Sequence, residues 1–177
     1  MATPRVLDRL TAQDLFMLWA DDFGWSEDIG VLAILDGTQL LDSNGQVRIE
    51  AVRQQLEPRL PLVPRFRQLL YRPRRGLGWP LWVDAPAFNL ADHLRVHPLG
   101  GPGDEAHLLQ ECAELYGRRW DRSRPPWAAW LLPGLPDHRV GLFLRAHHTI
   151  ADGVAGMAAF GALLDLDADV PTPVAPP

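Results

Sequence analysis

The stretch "RPPWAAWLLPGLPDHRVGLFLRAHH", Arg124 to His148, decides how the chain folds. Two apolar runs flank PGLPDH, whose prolines, glycine and aspartate are turn formers, so the pattern predicts two strands joined by that turn. Side chains alternate along the second run. Val140, Leu142, Leu144, Ala146 and His148 fall on one face, and Gly141, Phe143, Arg145 and His147 on the other. The adjacent histidines therefore point in opposite directions, and only one of them can serve a given site.

A strand pair this apolar needs cover, and the flanking sequence supplies it. Thr11 caps a helix predicted to run to about Asp21, with Leu15, Phe16, Leu18 and Trp19 as its apolar side. Val31 to Gly37 reads as a buried strand ended by a turn. Ile49, Val52 and Leu56 recur at helical spacing, and Pro58 ends that helix or begins its last turn. Phe66 to Tyr71 and WPLWVDA read as extended segments, and His93 to Leu99 alternates like a strand. The glycines of GGPGDEAHLLQECAELYGRRW turn into a helix that is acidic at its start and carries Arg118 and Arg119 at its end, as the helix dipole favours. A small-residue helix is predicted over 153–164. Helices mixed with short strands give an α/β (α+β) two-layer sandwich.

Composition narrows the function classes. The 177 residues, 47% hydrophobic and 22% charged, suit one soluble globular domain. A net charge of -5 without a basic run argues against nucleic acid as a partner. Every basic residue is an arginine. From Arg59 to Arg75 they gather among prolines, either as a solvated face with stems over the core or as a cationic rim for a phosphate-bearing cosubstrate or an anionic lipid surface. Cys112, the lone cysteine, cannot form an internal disulfide and reads as a buried small hydrophobe on a helix. The N-terminus lacks a signal-peptide core, and no apolar run approaches the ~20 residues of a membrane span. The chain is expected in the cytoplasm, at most peripheral to a membrane or lipid inclusion. The closing DVPTPVAPP reads as a stiff linker.

RAHHTIADGVAG, Arg145 to Gly156, carries the candidate chemistry. A histidine, mostly neutral at pH 7, can take a proton from a hydroxyl or thiol. Diverging histidines with no third ligand nearby argue against a metal centre. No serine or cysteine forms a nucleophile elbow, so direct attack by an activated substrate hydroxyl is favoured over an acyl-enzyme. Asp152 is a natural helix cap, or it holds the local backbone or an arginine that frames the site; Gly153 permits the tight turn.

His147-His148-Thr149-Ile150-Ala151-Asp152-Gly153 fits the HHxxxDG signature of the CoA-dependent acyltransferase superfamily. With LTAQDLFMLWA, FNLADHLRVHPLGGPG and WDRSRPPWAAWLLPGL, the chain resembles the N-terminal half of bacterial wax ester synthase/diacylglycerol acyltransferases from about Leu10 to Asp169. The resemblance implies one chloramphenicol-acetyltransferase-like half of a two-domain enzyme. Residues 1–169 would form the N-terminal domain, and 170–177 would begin a proline-rich linker to a C-terminal domain that this chain does not contain. It implies transfer of a fatty acyl group from acyl-CoA, the cosubstrate, to a long-chain alcohol or diacylglycerol, with no further cofactor and no metal. His148 would be the general base, His147 mainly architectural, Asp152 an organiser through a salt bridge, and Gly153 the turn. Pro125 and Trp127 match a Pro-Leu-Trp element of the family, with Pro126 in place of the leucine, and imply a structural role near the substrate tunnel. Little or no activity is expected of this chain alone. Two alternatives stand beside this one: a condensation-type enzyme acting on carrier-protein thioesters, and a non-catalytic module that pairs with a second half or with itself.

Overall fold

The computed structural model describes residues 8–74 and 76–150, with residues 161 and 163. Asp152, Gly153, the helix expected over 153–164 and the proline-rich end lie outside the described residues, residues 161 and 163 apart. The described chain builds α1 (Ala12–Asp22), β1 (Asp28–Asp36), α2 (Ile49–Leu56), β2 (Gln68–Tyr71), β3 (Leu81–Asp84), β4 (Leu94–Val96), α3 (Glu105–Tyr116), β5 (Trp127–Pro133) and β6 (Arg139–His147).

The two strands of the deciding stretch, β5 and β6, form the middle of a four-stranded sheet of order β1-β6-β5-β4. β6 pairs antiparallel with β1 on one side and β5 on the other, while β4 runs parallel to β5. The turn between β5 and β6 needs its glycine, because Gly134 sits at φ +112, where a side chain is strained. β2 and β3 form a separate two-stranded hairpin.

Alternation sorts the core as expected. Val140 and Leu142 of β6, with Trp127, Ala129 and Leu131 of β5, share one buried cluster with Leu18 of α1 and with Leu60, Val63 and Phe66. Phe143, Trp130 and Leu132 face the other way, into a cluster with Leu108, Cys112 and Leu115 of α3. The expected α/β sandwich thus forms around a mixed sheet that has helical cover on each face. Each fully buried leucine stabilises it by about 1.5–3 kcal/mol. Burial also pushes the Cys112 thiol pKa up, which suits an inert core residue.

Several boundaries differ from expectation, each for a local reason. β1 begins at Asp28 rather than Val31, because its whole length from Asp28 to Asp36 pairs with β6. Phe66 lies in a 3-10 turn, Pro64–Arg67, opened by a proline with a helix-compatible φ; extended structure starts only at Gln68. α2, by contrast, stops at Leu56 as expected, and Pro58 enters a 3-10 turn, Glu57–Leu62. α3 ends at Tyr116 with Gly117 as its C-cap, so Arg118 and Arg119 lie beyond the helix and no basic residue occupies its last turn. β6 stops at His147 and His148 opens a turn, so that turn, not the strand pleat, sets the direction of His148.

Candidate active site

The histidine pair is anchored from both neighbouring strands. His147 lies opposite Asp28 in the β1–β6 register, and its N–H donates to the Pro126 carbonyl at 2.9 Å. The His148 N–H donates to the Glu27 carbonyl at 2.8 Å, and the Ile150 N–H closes the turn on the His147 carbonyl at 2.9 Å. The backbone of the motif is therefore held by the residues that enter β1 and β5.

The two side chains have different surroundings. His147 is buried, 2% exposed. Its Nδ1 lies 2.8 Å from Thr149 Oγ1 and accepts the Thr149 N–H at 3.2 Å, and its Nε2 is 3.2 Å from Asp21 Oδ2 at the end of α1. His148 is half-buried, and among the described residues no side chain hydrogen-bonds its ring. Among the described residues, the buried ring is therefore that of His147, and the ring without a side-chain hydrogen bond is that of His148.

Arg145, on the His147 face of β6, organises a second layer. It is 3% exposed, and its Nε donates to Asp28 Oδ2 at 2.8 Å, with Nη2 on the same oxygen and Nη1 on the Arg118 carbonyl. Asp28 also accepts from Trp120 Nε1 and Ser26 Oγ, both at 2.8 Å, and its carbonyl accepts the Tyr116 hydroxyl at 2.8 Å. The guanidinium lies over the Trp120 ring, 4.2 Å from its centroid, and 5.4 Å from that of Tyr116. Burial, then the charge of Asp28, pushes the Tyr116 hydroxyl pKa up. A buried ion pair is stabilised only when its remaining donors and acceptors are met, and here they are met from three elements.

A groove of about 950 Å³ opens over this face and is lined by Asp21, Arg72, Trp120, Arg122, Arg145 and His147, among others. Arg72 donates to both oxygens of Asp22 at 2.9 Å and holds that carboxyl below its ordinary pKa. Elsewhere in the arginine-rich stretch, Arg65 pairs with Asp8 and lies over Trp82, and Arg67 lies over Phe88. These contacts match the reading of arginine stems laid over the core. The opposite face of the sheet carries a small apolar cavity of about 50 Å³, lined by Leu56, Leu60, Leu90, Trp127 and Leu142, among others. Ligand pockets occupy roughly 300–1,000 Å³, a range that the groove meets and this cavity does not.

Pro125 and Trp127 do not line the groove. Trp127 is 4% exposed, donates Nε1–H to the Phe66 carbonyl at 2.8 Å, and stacks on His93 with ring centroids 4.7 Å apart. Pro125 is buried, and its carbonyl accepts the Trp127 N–H at 2.9 Å. Their contacts are those of packing, and the groove-lining member of the element is Pro126, whose carbonyl holds His147.

Sequence reasoning missed Asp21, Asp28, Trp120 and Thr149. One signal was present: Arg145 puts a charge into an apolar strand, and a buried charge demands a partner. Several carboxylates could have met that demand, and the pairing of β1 with β6 selects Asp28. Among the described residues no helix is long and apolar enough to cross a membrane, and no three His, Cys, Asp or Glu side chains gather as a metal site requires.

The family model for the wax ester synthase/diacylglycerol acyltransferase catalytic domain matches residues 10–177. The chain is 31% identical over 153 residues to the probable diacylglycerol O-acyltransferase tgs3 of Mycobacterium tuberculosis, covering 86% of this chain and 55% of that protein. It is 34% identical over 161 residues to the probable diacylglycerol O-acyltransferase tgs1 of the same organism, covering 90% of this chain and 33% of that protein. Among solved structures, the wax ester synthase/diacylglycerol acyltransferase from Marinobacter aquaeolei VT8 matches with a TM-score of 0.65 at 26% identity, over 85% of this chain and 36% of that one. The first condensation domain of the calcium-dependent antibiotic synthetase matches with a TM-score of 0.66 at 17% identity, over 89% of this chain and 38% of that one, a likeness of fold alone. The chain spans about half or less of the length of these relatives.

Proposed function

We propose a reaction from one premise: this chain belongs to the wax ester synthase/diacylglycerol acyltransferase catalytic-domain family. The reaction is transfer of a fatty acyl group from acyl-CoA to the hydroxyl of a long-chain alcohol or diacylglycerol, with this chain supplying the histidine motif. His148 removes the hydroxyl proton as the oxygen attacks the thioester carbonyl carbon. The tetrahedral oxyanion collapses, the carbon–sulfur bond breaks, and the CoA sulfur takes the proton back from His148. The products are an ester and CoA. His147 holds the architecture, Asp152 would organise the site through a salt bridge and Gly153 would permit the close turn, as the family resemblance implies, and Pro125 and Trp127 brace the start of β5.

The observation that carries this reading is the contrast between the two rings. His147 is buried, accepts the Thr149 N–H at Nδ1 and faces Asp21 across 3.2 Å at Nε2, whereas His148 is half-buried and unclaimed by any described side chain. A base needs a ring nitrogen open to its substrate, and His148 has the suitable setting.

In this reading residues 1–169 form the first of two domains, and the second contributes the oxyanion donors and part of the CoA and acyl pockets. The short span of this chain against its relatives supports that division, as do the exposed Phe16, Trp19, Phe23 and Trp25 on and after α1. A missing oxyanion donor alone costs about 3 kcal/mol in the barrier. Incubating the chain with acyl-CoA and a long-chain alcohol is expected to give little or no ester, and adding a separately expressed second half is expected to restore turnover. Robust His148-dependent ester formation by the chain alone would overturn the division of labour. Failure of the reconstituted pair to make ester would overturn the reaction.

A further inference from the structure

We propose that Asp21 is a positioning residue for the histidine motif: it keeps the His147 proton on Nε2, leaving Nδ1 bare to pin the backbone that carries His148. The Thr149 N–H donates to His147 Nδ1 at 3.2 Å, and the Thr149 hydroxyl oxygen lies 2.8 Å from the same nitrogen. A backbone N–H only donates, so Nδ1 is the acceptor and the ring proton sits on Nε2. The contact from Thr149 back to His147 closes a small ring around His148. In effect, the tautomer of the first histidine fixes the peptide units on either side of the second.

What holds the proton on Nε2 comes from α1. Asp21 Oδ2 lies 3.2 Å from Nε2, off the line of a hydrogen bond, and the Asp21 side chain is 13% exposed. His147 Nε2 and Asp21 Oδ1 are both buried without a hydrogen bond among the described residues, and a buried polar atom of that kind calls for a partner. The neighbouring cations are engaged elsewhere, Arg72 and Arg122 with Asp22 and Arg145 with Asp28. Asp21 is thus left facing the imidazole. The role differs from any at Asp152, because it acts on the first histidine and comes from the first helix.

The kinetic consequence rests on His148 being the base, whereas the tautomer does not, so two readouts separate the ideas. In long-range proton–nitrogen spectra of the chain, His147 is expected to show a protonated Nε2 and a bare Nδ1. Asp21→Leu is expected to scramble that pattern and to speed hydrogen exchange at the Thr149 amide. In the reconstituted two-half enzyme it is expected to lower kcat by about 100-fold with KM little changed, as a small misplacement of a reacting group does. Asp21→Asn, whose Oδ1 still accepts, recovers part of the loss.

A wild-type His147 protonated on Nδ1 would overturn the proposal, and so would an Asp21→Leu chain with unchanged tautomer and unchanged Thr149 protection. If Asp21→Leu fails to fold, the wild-type and Asp21→Asn spectra decide, since Nδ1 protonation in the wild type or a fully unperturbed ring in Asp21→Asn with lost activity contradicts the mechanism. A tautomer that responds as expected, beside ester formation that ignores His148, supports the positioning role and overturns the assignment of the base.

Discussion

His93 shows how a titratable residue becomes part of the core. Its ring lies between Phe88, with centroids 5.2 Å apart, and Trp127, at 4.7 Å, and its Nδ1–H meets the Trp127 carbonyl at 2.8 Å. Burial pushes its pKa below the usual imidazole value, against the upward pull of that carbonyl and of Asp92. The sign follows: below ~6.5 the unfolded chain binds a proton that the folded chain resists, so stability is full above that pH and falls as pH drops towards the folded pKa, by up to about 1.4 kcal/mol per unit. Urea unfolding of the wild type and of His93→Gln, compared above and below the imidazole pKa, is expected to show a shallower acid loss in the variant. Parallel losses would contradict this. At the same scale, the sequence made the histidine pair visible through its spacing to Asp152 and Gly153, but it could not say which ring is buried. That depends on Asp21 and Thr149, and on β6 ending one residue before His148.

Among elements, the contacts that matter most join β1, β6 and the loop after α3. Arg145 is the β6 contribution, Asp28 the β1 contribution, and Trp120 with the Arg118 carbonyl the contribution of the loop. Removing one partner leaves a buried charge uncompensated, so Arg145→Met is expected to destabilise the fold by about 3–5 kcal/mol. The double variant with Asp28→Asn is expected to recover part of that loss. A double-mutant cycle on unfolding free energies reads the coupling directly, and additive losses would contradict it. Element types were legible where periodicity was strong, as in α1, α2, α3, β5 and β6. The start of β1 was not, because Asp28, Ile29 and Gly30 have no strand pattern of their own and are extended by pairing with Arg145 to His147. The 3-10 turn at Pro64–Arg67 was likewise hidden, since Phe66 contributes a core side chain from either conformation.

Over the whole molecule, the sheet separates two buried clusters and presents the end of β6 to a groove of about 950 Å³ on the Arg145 side. The α/β class was legible because strand and helix periods both occur in a chain with enough apolar residues for a core. The family was legible because the order of LTAQD, RPPW and HHTIADG is more specific than any one of them. The groove was not, because its lining comes from α1, β2, β6 and the loop after α3, which no local pattern associates. We propose that His148 is the base of an acyl transfer completed by a second domain. The most direct measurement is kcat for ester and CoA release by the reconstituted enzyme with His148 and with His148→Ala. The expected result is a loss of about 10²–10⁴-fold, the range for a general base, with substrate binding retained. A variant that keeps kcat within about tenfold of the parent would contradict the claim, because no positioned base would then be lost.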